Sequence, residues 1–230
     1  MQNYYYGNNY NLSTHALRNN YHSNKNQRCL RLYVANALKH NEKKDLFARS
    51  AVRVIDKLGV GGFTLRDVAS DLNVTTGSLQ YYFASKEELL THAKNVLFDD
   101  LAEKLKVAGA KHDGPRKIIE MALSVLPTDE RAAITWRVYI GLLSLTLPDK
   151  KMRREQARRG RNWVERFKEA LCESQAKAEL SANLDAEKAA IQLVMYLEGL
   201  STNAVTDPDF FTAEKQKALL KSFVNEILAN

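Results

Sequence analysis

Thr75, Thr76, Gly77, Ser78, Gln80, Tyr81 and Tyr82 stand within eight consecutive positions and bring hydroxyls, phenols and one amide around a residue with no side chain. So small a backbone can approach a partner surface closely while the polar groups reach past it. An amide such as Gln80 can bond adenine at two atoms, and hydroxyls donate or accept, so this set has the chemistry for the edges of bases. A second set is aromatic. Trp136 and Tyr139 are one helical turn apart, as are Trp163 and Phe167, and Tyr196 precedes Glu198 in a mostly apolar stretch. Aromatic faces with one carboxylate would hold a quaternary ammonium, by cation–π attraction and a countercharge. The same aromatics could equally form core, with Glu198 facing solvent or pairing with an arginine. Neither set is catalytic. The five histidines, His15, His22, His40, His92 and His112, are scattered, and the chain has no HExxH, nucleophile elbow or Gly-rich phosphate loop. We expect no enzyme, no cofactor and no metal.

The elements that must position the first set can be read from spacing. Thr64 is a plausible N-cap with Asp67 three residues on, and Leu65, Val68, Ala69 and Leu72 recur at helical intervals. Asn73, Val74 and Thr75 interrupt that helix. After Gly77, Leu79 and Phe83 fall four apart, on the face that packs back on the first helix. Ser85 and Glu88 then form a capping box that opens a long third helix. Helix, tight turn, helix is the pattern in which the second helix enters the major groove of DNA.

At this point the sequence resembles the TetR-type bacterial repressors. Their pattern is matched by Thr64, Val68, Ala69, Val74, Thr75, Gly77, Leu79, Tyr81, Tyr82, Phe83, Lys86 and Leu89. Two positions depart from it: Asn73 stands where the family usually has Gly, and Gln80 where it often has Tyr. Asn tolerates the left-handed backbone such a turn needs. The resemblance implies that Lys86 contacts a phosphate beside a helix N-terminus, and that the helix it opens carries a ligand signal to the DNA-binding head. The expected DNA-contacting residues are therefore Thr64, Thr75, Thr76, Gly77, Ser78, Gln80, Tyr81, Tyr82 and Lys86.

The rest of the chain supplies the frame. Residues 1–40 hold Arg18, Lys25, Arg28, Arg31 and Lys39 and no acid, so +5 of the net +7 lies there. We expect this stretch to be a disordered basic tail with a helical turn or two near Leu30–Leu38, serving either as an arm on DNA or as an extension with no role. A helix-turn-helix domain is expected over 41–84, its first helix running from Asn41 to Leu58 and closed by Gly59 to Gly62. A linker helix over 85–107 follows, then a ligand-binding and dimerisation domain over 108–230. That last domain carries helical patterns at 116–126, 129–147, 150–178, 186–206 and 212–228, so the fold class is all-α.

From Trp136 through Phe211 the second domain loosely resembles the BetI subgroup, the choline-responsive repressors, in its aromatic helix, its Arg-rich helix and Glu-Gly-Leu at 198–200. The expected ligand pocket is built from Trp136, Tyr139, Trp163, Phe167, Tyr196 and Glu198. Between Lys150 and Arg161 seven of twelve residues are Lys or Arg. That run is open to three readings: a solvated face, a DNA surface, or the source of one arginine closing the pocket on an anion. Ile191, Val194, Leu197, Leu219, Phe223 and Ile227 make the last two helices apolar around more than one side, which predicts a four-helix homodimer interface.

No apolar run suits a membrane span and no secretory segment is apparent, so a cytoplasmic protein without membrane contact is expected. Cys29 and Cys172, without CxxC spacing or His partners, suggest neither disulfide nor metal site. The function expected is a ligand-responsive repressor that binds double-stranded operator DNA as a homodimer and is released by a small-molecule inducer, a cation or quaternary amine among the candidates. The alternative is a helical ligand-binding or interaction protein that has lost specific DNA binding.

Overall fold

From Asn24 to Leu58 no glycine or proline interrupts the chain, and in the computed structural model one helix, α1, runs over Asn24–Gly62. The structure describes the backbone of residues 24–229 and the side chains of residues 39–229. Residues 1–23 of the expected tail lie outside the described residues, whereas 24–40 are helical rather than a turn or two, since nothing in the sequence stops α1 there. Gly59, at φ 74 and ψ 161, marks the break near its end, a conformation open to a residue without Cβ.

Eight more helices follow among the described residues: α2 (Leu65–Asp71), α3 (Thr76–Tyr82), α4 (Lys86–Gly109), α5 (Gly114–Leu123), α6 (Glu130–Thr146), α7 (Lys150–Ala176), α8 (Ala186–Thr206) and α9 (Ala213–Ala229). The fold is all-α. Helix starts are fixed by side chains that accept from the first-turn amides. Asp129 takes the Ala132 N–H at 2.8 Å and Asp185 the Lys188 N–H at 3.0 Å. Each such cap contributes about 1 kcal/mol, and a carboxylate adds favourable charge at the helix N-terminus.

Residues from Asp45 onward form one contact unit with two hydrophobic cores. The first joins Phe47, Ile55, Phe63, Val68, Leu79 and Phe83 to Leu89, Leu90 and Leu97 of α4, and to Val138 and Leu142 of α6. The second gathers Leu101 and Leu105 of α4 with Ile118, Phe167, Leu171, Leu197 and Leu220. Helix α4 thus passes from one core into the other. Helix α6 gives Val138 and Leu142 to the first core and, as described below, other side chains to a cavity.

Two paired arginines tie α1 to these shared helices. Arg49 grips Asp100 of α4 at 2.5 and 2.8 Å, and Arg137 of α6 grips Asp56 at 2.6 and 3.0 Å while also reaching Glu130 at 2.7 Å. The carboxylates hold the Arg137 guanidinium charged far beyond any working pH. None of the helices among the described residues is long and apolar enough to cross a membrane.

Candidate nucleic-acid interface and ligand cavity

Helix α3 is anchored from one side. Leu79 and Phe83 are fully buried, while Thr75, Gly77, Ser78 and Gln80 are exposed and Tyr81 stands 76% open. The Thr75 hydroxyl accepts the Ser78 N–H at 3.1 Å and so opens the helix. Before it, Asn73 takes φ 53, the left-handed turn expected of this residue in place of Gly. A Cβ added at Gly77 would meet nothing nearer than the Thr75 hydroxyl at 3.8 Å. The fold itself therefore does not demand glycine there, and the room it leaves faces outward.

The other expected contacts are drawn partly into the protein. Thr76 and Tyr82 are half-buried, and the Tyr82 ring lies 5.3 Å from that of Phe47. Thr64 closes a capping box: its hydroxyl accepts the Asp67 N–H at 3.3 Å, and its own N–H donates to the Asp67 carboxylate at 2.7 Å. That pairing holds the Asp67 carboxyl below its ordinary value. The Lys86 ammonium donates to the Phe63 carbonyl at 2.7 Å and sits 4.2 Å from the Phe63 ring. The ring face adds a cation–π contact, and a lysine ammonium still has two further donors.

The aromatic set is assembled in part. A small cavity of about 20 Å³ is lined by Phe98 and Leu101 of α4, Trp136 and Tyr139 of α6, Gln156, Gly160 and Trp163 of α7, and Glu198 of α8. Trp136 is fixed by its indole N–H donating to the Val125 carbonyl at 2.8 Å. The Tyr139 ring stands edge-on to both Trp136 and Phe98, at 5.6 and 5.5 Å between centroids. Its hydroxyl accepts from the Gln156 amide at 2.9 Å. Burial, with the Glu198 charge behind it, pushes the Tyr139 phenol well above its ordinary value. Glu198 stands at the rim, open to solvent on one side, with enough apolar surface around it that desolvation raises its carboxyl.

Among the residues that line this cavity Glu198 alone carries a charge. Arginines of the basic run stay outside it. Arg159, for example, lies 4.8 Å from the centre of the Phe98 ring and is held by Glu155 at 3.1 Å and Asn95 at 2.6 Å.

Two expected pocket residues are placed elsewhere. Phe167 is fully buried in the second core, one turn beyond Trp163 along α7 and past the end of the cavity. Tyr196 is two residues from Glu198, hence about 200° around the helix, and stacks on Phe223 of α9 at 3.8 Å and 9°. Four lining residues escaped the sequence reading. Gln156 and Gly160 precede Trp163 by seven and three positions, so helical spacing alone put them on its face. Phe98 and Leu101 are one turn apart on a helix read only as a linker.

Residues 48–93 match the bacterial regulatory proteins of the tetR family, and residues 116–229 match the C-terminal domain of BetI-type transcriptional repressors. The chain is similar to the HTH-type transcriptional regulator PksA of Bacillus subtilis, at 23% identity over 82% of this chain and 91% of that protein. It is also similar to the HTH-type transcriptional regulator BetI of Vibrio campbellii, at 23% identity over 81% of this chain and 92% of that one. In fold it matches a transcriptional regulator of Saccharomonospora viridis solved in complex with choline, with a TM-score of 0.72 and 18% identity over 80% of this chain and 96% of that one. These relatives are transcriptional regulators, not enzymes. With a tetR-type head and a BetI-type C-terminal domain, the chain belongs to the TetR family of DNA-binding transcriptional regulators.

Proposed function

We propose that the protein is a homodimeric repressor that binds a pseudo-palindromic operator and is released when a small organic cation enters the cavity between α4, α6, α7 and α8. One observation carries this reading: the cavity walls are aromatic, its one charged lining residue is a carboxylate, and two of its four helices also build the head core. The choline bound to the Saccharomonospora viridis neighbour supports the same ligand class.

In this reading residues 41–84 are the DNA-binding domain, 85–107 the linker and 108–230 the ligand and dimer domain. Gln80, Tyr81, Ser78, Thr75 and Thr76 supply base and backbone contacts. Gly77 lets the helix sit close to the groove, Tyr82 and Thr64 brace the face from behind, and Lys86 contributes its remaining donors to phosphate. The dimer forms through α8 and α9, where Ile191, Met195 and Leu219 are exposed apolar side chains. Ligand would favour the dimer state whose heads do not fit successive major grooves, so operator must weaken ligand binding by the same factor.

The test is fluorescence anisotropy against the DNA upstream of the protein's own gene, with a scrambled duplex as control, at two salt concentrations and then with a quaternary ammonium added. A preference of about 10³ over the scrambled duplex that survives salt and is lost with the cation is the expected result. Equal, salt-sensitive binding to both duplexes, unaltered by cations, would overturn it.

A further inference from the structure

We infer that a small carboxylate binds between α4 and α7, held by Lys94 and Arg159, at a site apart from the aromatic cavity. Lys94 is 4% exposed, and its ammonium makes no hydrogen bond or ion pair among the described residues. Lysines are almost never buried to this extent without a partner. The Nζ atom is nonetheless not fully enclosed, so its three donors can be reached. Arg159 of α7 stands beside it. Its guanidinium meets Asn95 and Phe98, the residues one position and one turn beyond Lys94 on α4, and donates to the Asn95 Oδ1 at 2.6 Å. The Arg159 Nε donates to Glu155 at 3.1 Å, whereas its other terminal nitrogen, Nη1, has no acceptor among the described residues. Two facing helices thus leave donors unused at one place.

The charges there do not cancel. Lys94, Arg158 and Arg159 stand against Glu155, which both arginines already grip, and Asp99, whose charge reaches Arg159. One positive charge is left over. Burial pulls the Lys94 ammonium below its ordinary value, and the Arg159 charge pulls the same way. A monoanion with two acceptor oxygens would meet Lys94 and the Arg159 Nη1 together, in charge-assisted hydrogen bonds, and would cancel the surplus. A dianion overshoots it, and an uncharged amide of the same shape leaves it in place. Neither Lys94 nor Arg159 nor Glu155 lines the aromatic cavity, so the inference does not depend on what enters there.

Thermal unfolding of the full-length protein in sodium acetate tests this, with sodium chloride at equal ionic strength and acetamide, the uncharged isostere, as references. In the wild type acetate should raise Tm along a saturating curve, by roughly 3–6 °C at ten times its Kd, beyond any change in chloride or acetamide. Lys94→Met keeps an apolar stem and removes the ammonium. It should unfold at or above the wild-type temperature without acetate and lose the acetate increment, and Arg159→Gln should lose that increment too. An acetate effect that is absent, linear in concentration or matched by chloride overturns the inference in the wild type alone, so a variant that fails to fold does not shelter it. An increment retained in both variants overturns the assignment to these residues. A lower Tm for Lys94→Met without acetate would mean that the ammonium already has a partner, and would overturn it as well.

Discussion

Gly160 offers a direct test of the cavity, because it lines the space without being required by the backbone. It lies in the interior of α7, its φ is not positive, and a Cβ built on it meets nothing within 4 Å. Replacing it with Ala therefore introduces no clash and removes the entropy a helical glycine loses on folding, a gain of about 0.5–1 kcal/mol. For a chain of this size that corresponds to a rise in Tm of roughly 1–4 °C. Gly160→Leu goes further. Its side chain would compete with a ligand for the cavity that Gly160 lines beside Trp136 and Tyr139. Thermal unfolding should show Gly160→Ala at or above the wild type, with the Leu variant folded, while calorimetric titration with choline should show binding at least ~10-fold weaker in the Leu variant. A fall in Tm for the Ala variant would mean that α7 packs against something at this position. Unchanged choline affinity in the Leu variant would mean that the ligand does not enter this cavity, and the reasoning would fail there.

Other perturbations separate reading from folding. Gln80→Ala and Tyr81→Ala alter exposed side chains, so each should change stability by less than ~0.5 kcal/mol in urea titration while costing about 1–3 kcal/mol of operator discrimination by anisotropy. Phe83→Ala empties a fully buried site in the head core and should cost ~3–5 kcal/mol, seen as an early urea transition and loss of DNA binding together. Arg137→Ala strands Asp56, whose side chain is only 14% exposed, and should cost about 1–3 kcal/mol, read as a lower urea midpoint at unchanged slope. Desolvation raises the Glu198 carboxyl, so the folded protein keeps that proton to higher pH than the unfolded chain does. Its contribution to stability therefore falls as pH rises through the range just above the ordinary glutamate value, and cation affinity rises over the same range. Glu198→Gln should flatten both trends in parallel unfolding and binding titrations across that range.

Legibility followed the range of the interaction concerned. The caps at Thr64 and Ser85, the turn at Asn73 and the buried pair Leu79 and Phe83 all depend on neighbours within a few residues, and all could be read from spacing. The cavity depends on which helix faces which, and a single chain's periodicity shows the face without its neighbour. Tyr196 was grouped with Glu198 by proximity in sequence, although two residues along a helix point to nearly opposite sides. Phe98 was hidden because α4 looked like a connector, and Gln156 because a basic run surrounds it. Lys86 shows the converse: its position at a helix start was legible, but the pull of the Phe63 carbonyl, 23 residues earlier, was not.

The sharing of α4 and α6 between the two cores bears on how such a protein could be rebuilt from parts. A cut at residue 84 would separate Phe47, Phe63, Val68 and Phe83 from Leu89, Leu97, Val138 and Leu142, and would leave the DNA-reading helices with an uncovered apolar flank. Residues 41–84 expressed alone should therefore remain unfolded. A chimera with a new operator preference would succeed by repainting the outward residues of α3, whereas transplanting a whole head onto this body would require its underside to fit α4 and α6 side chain for side chain. The joint behaves as a weld rather than a socket.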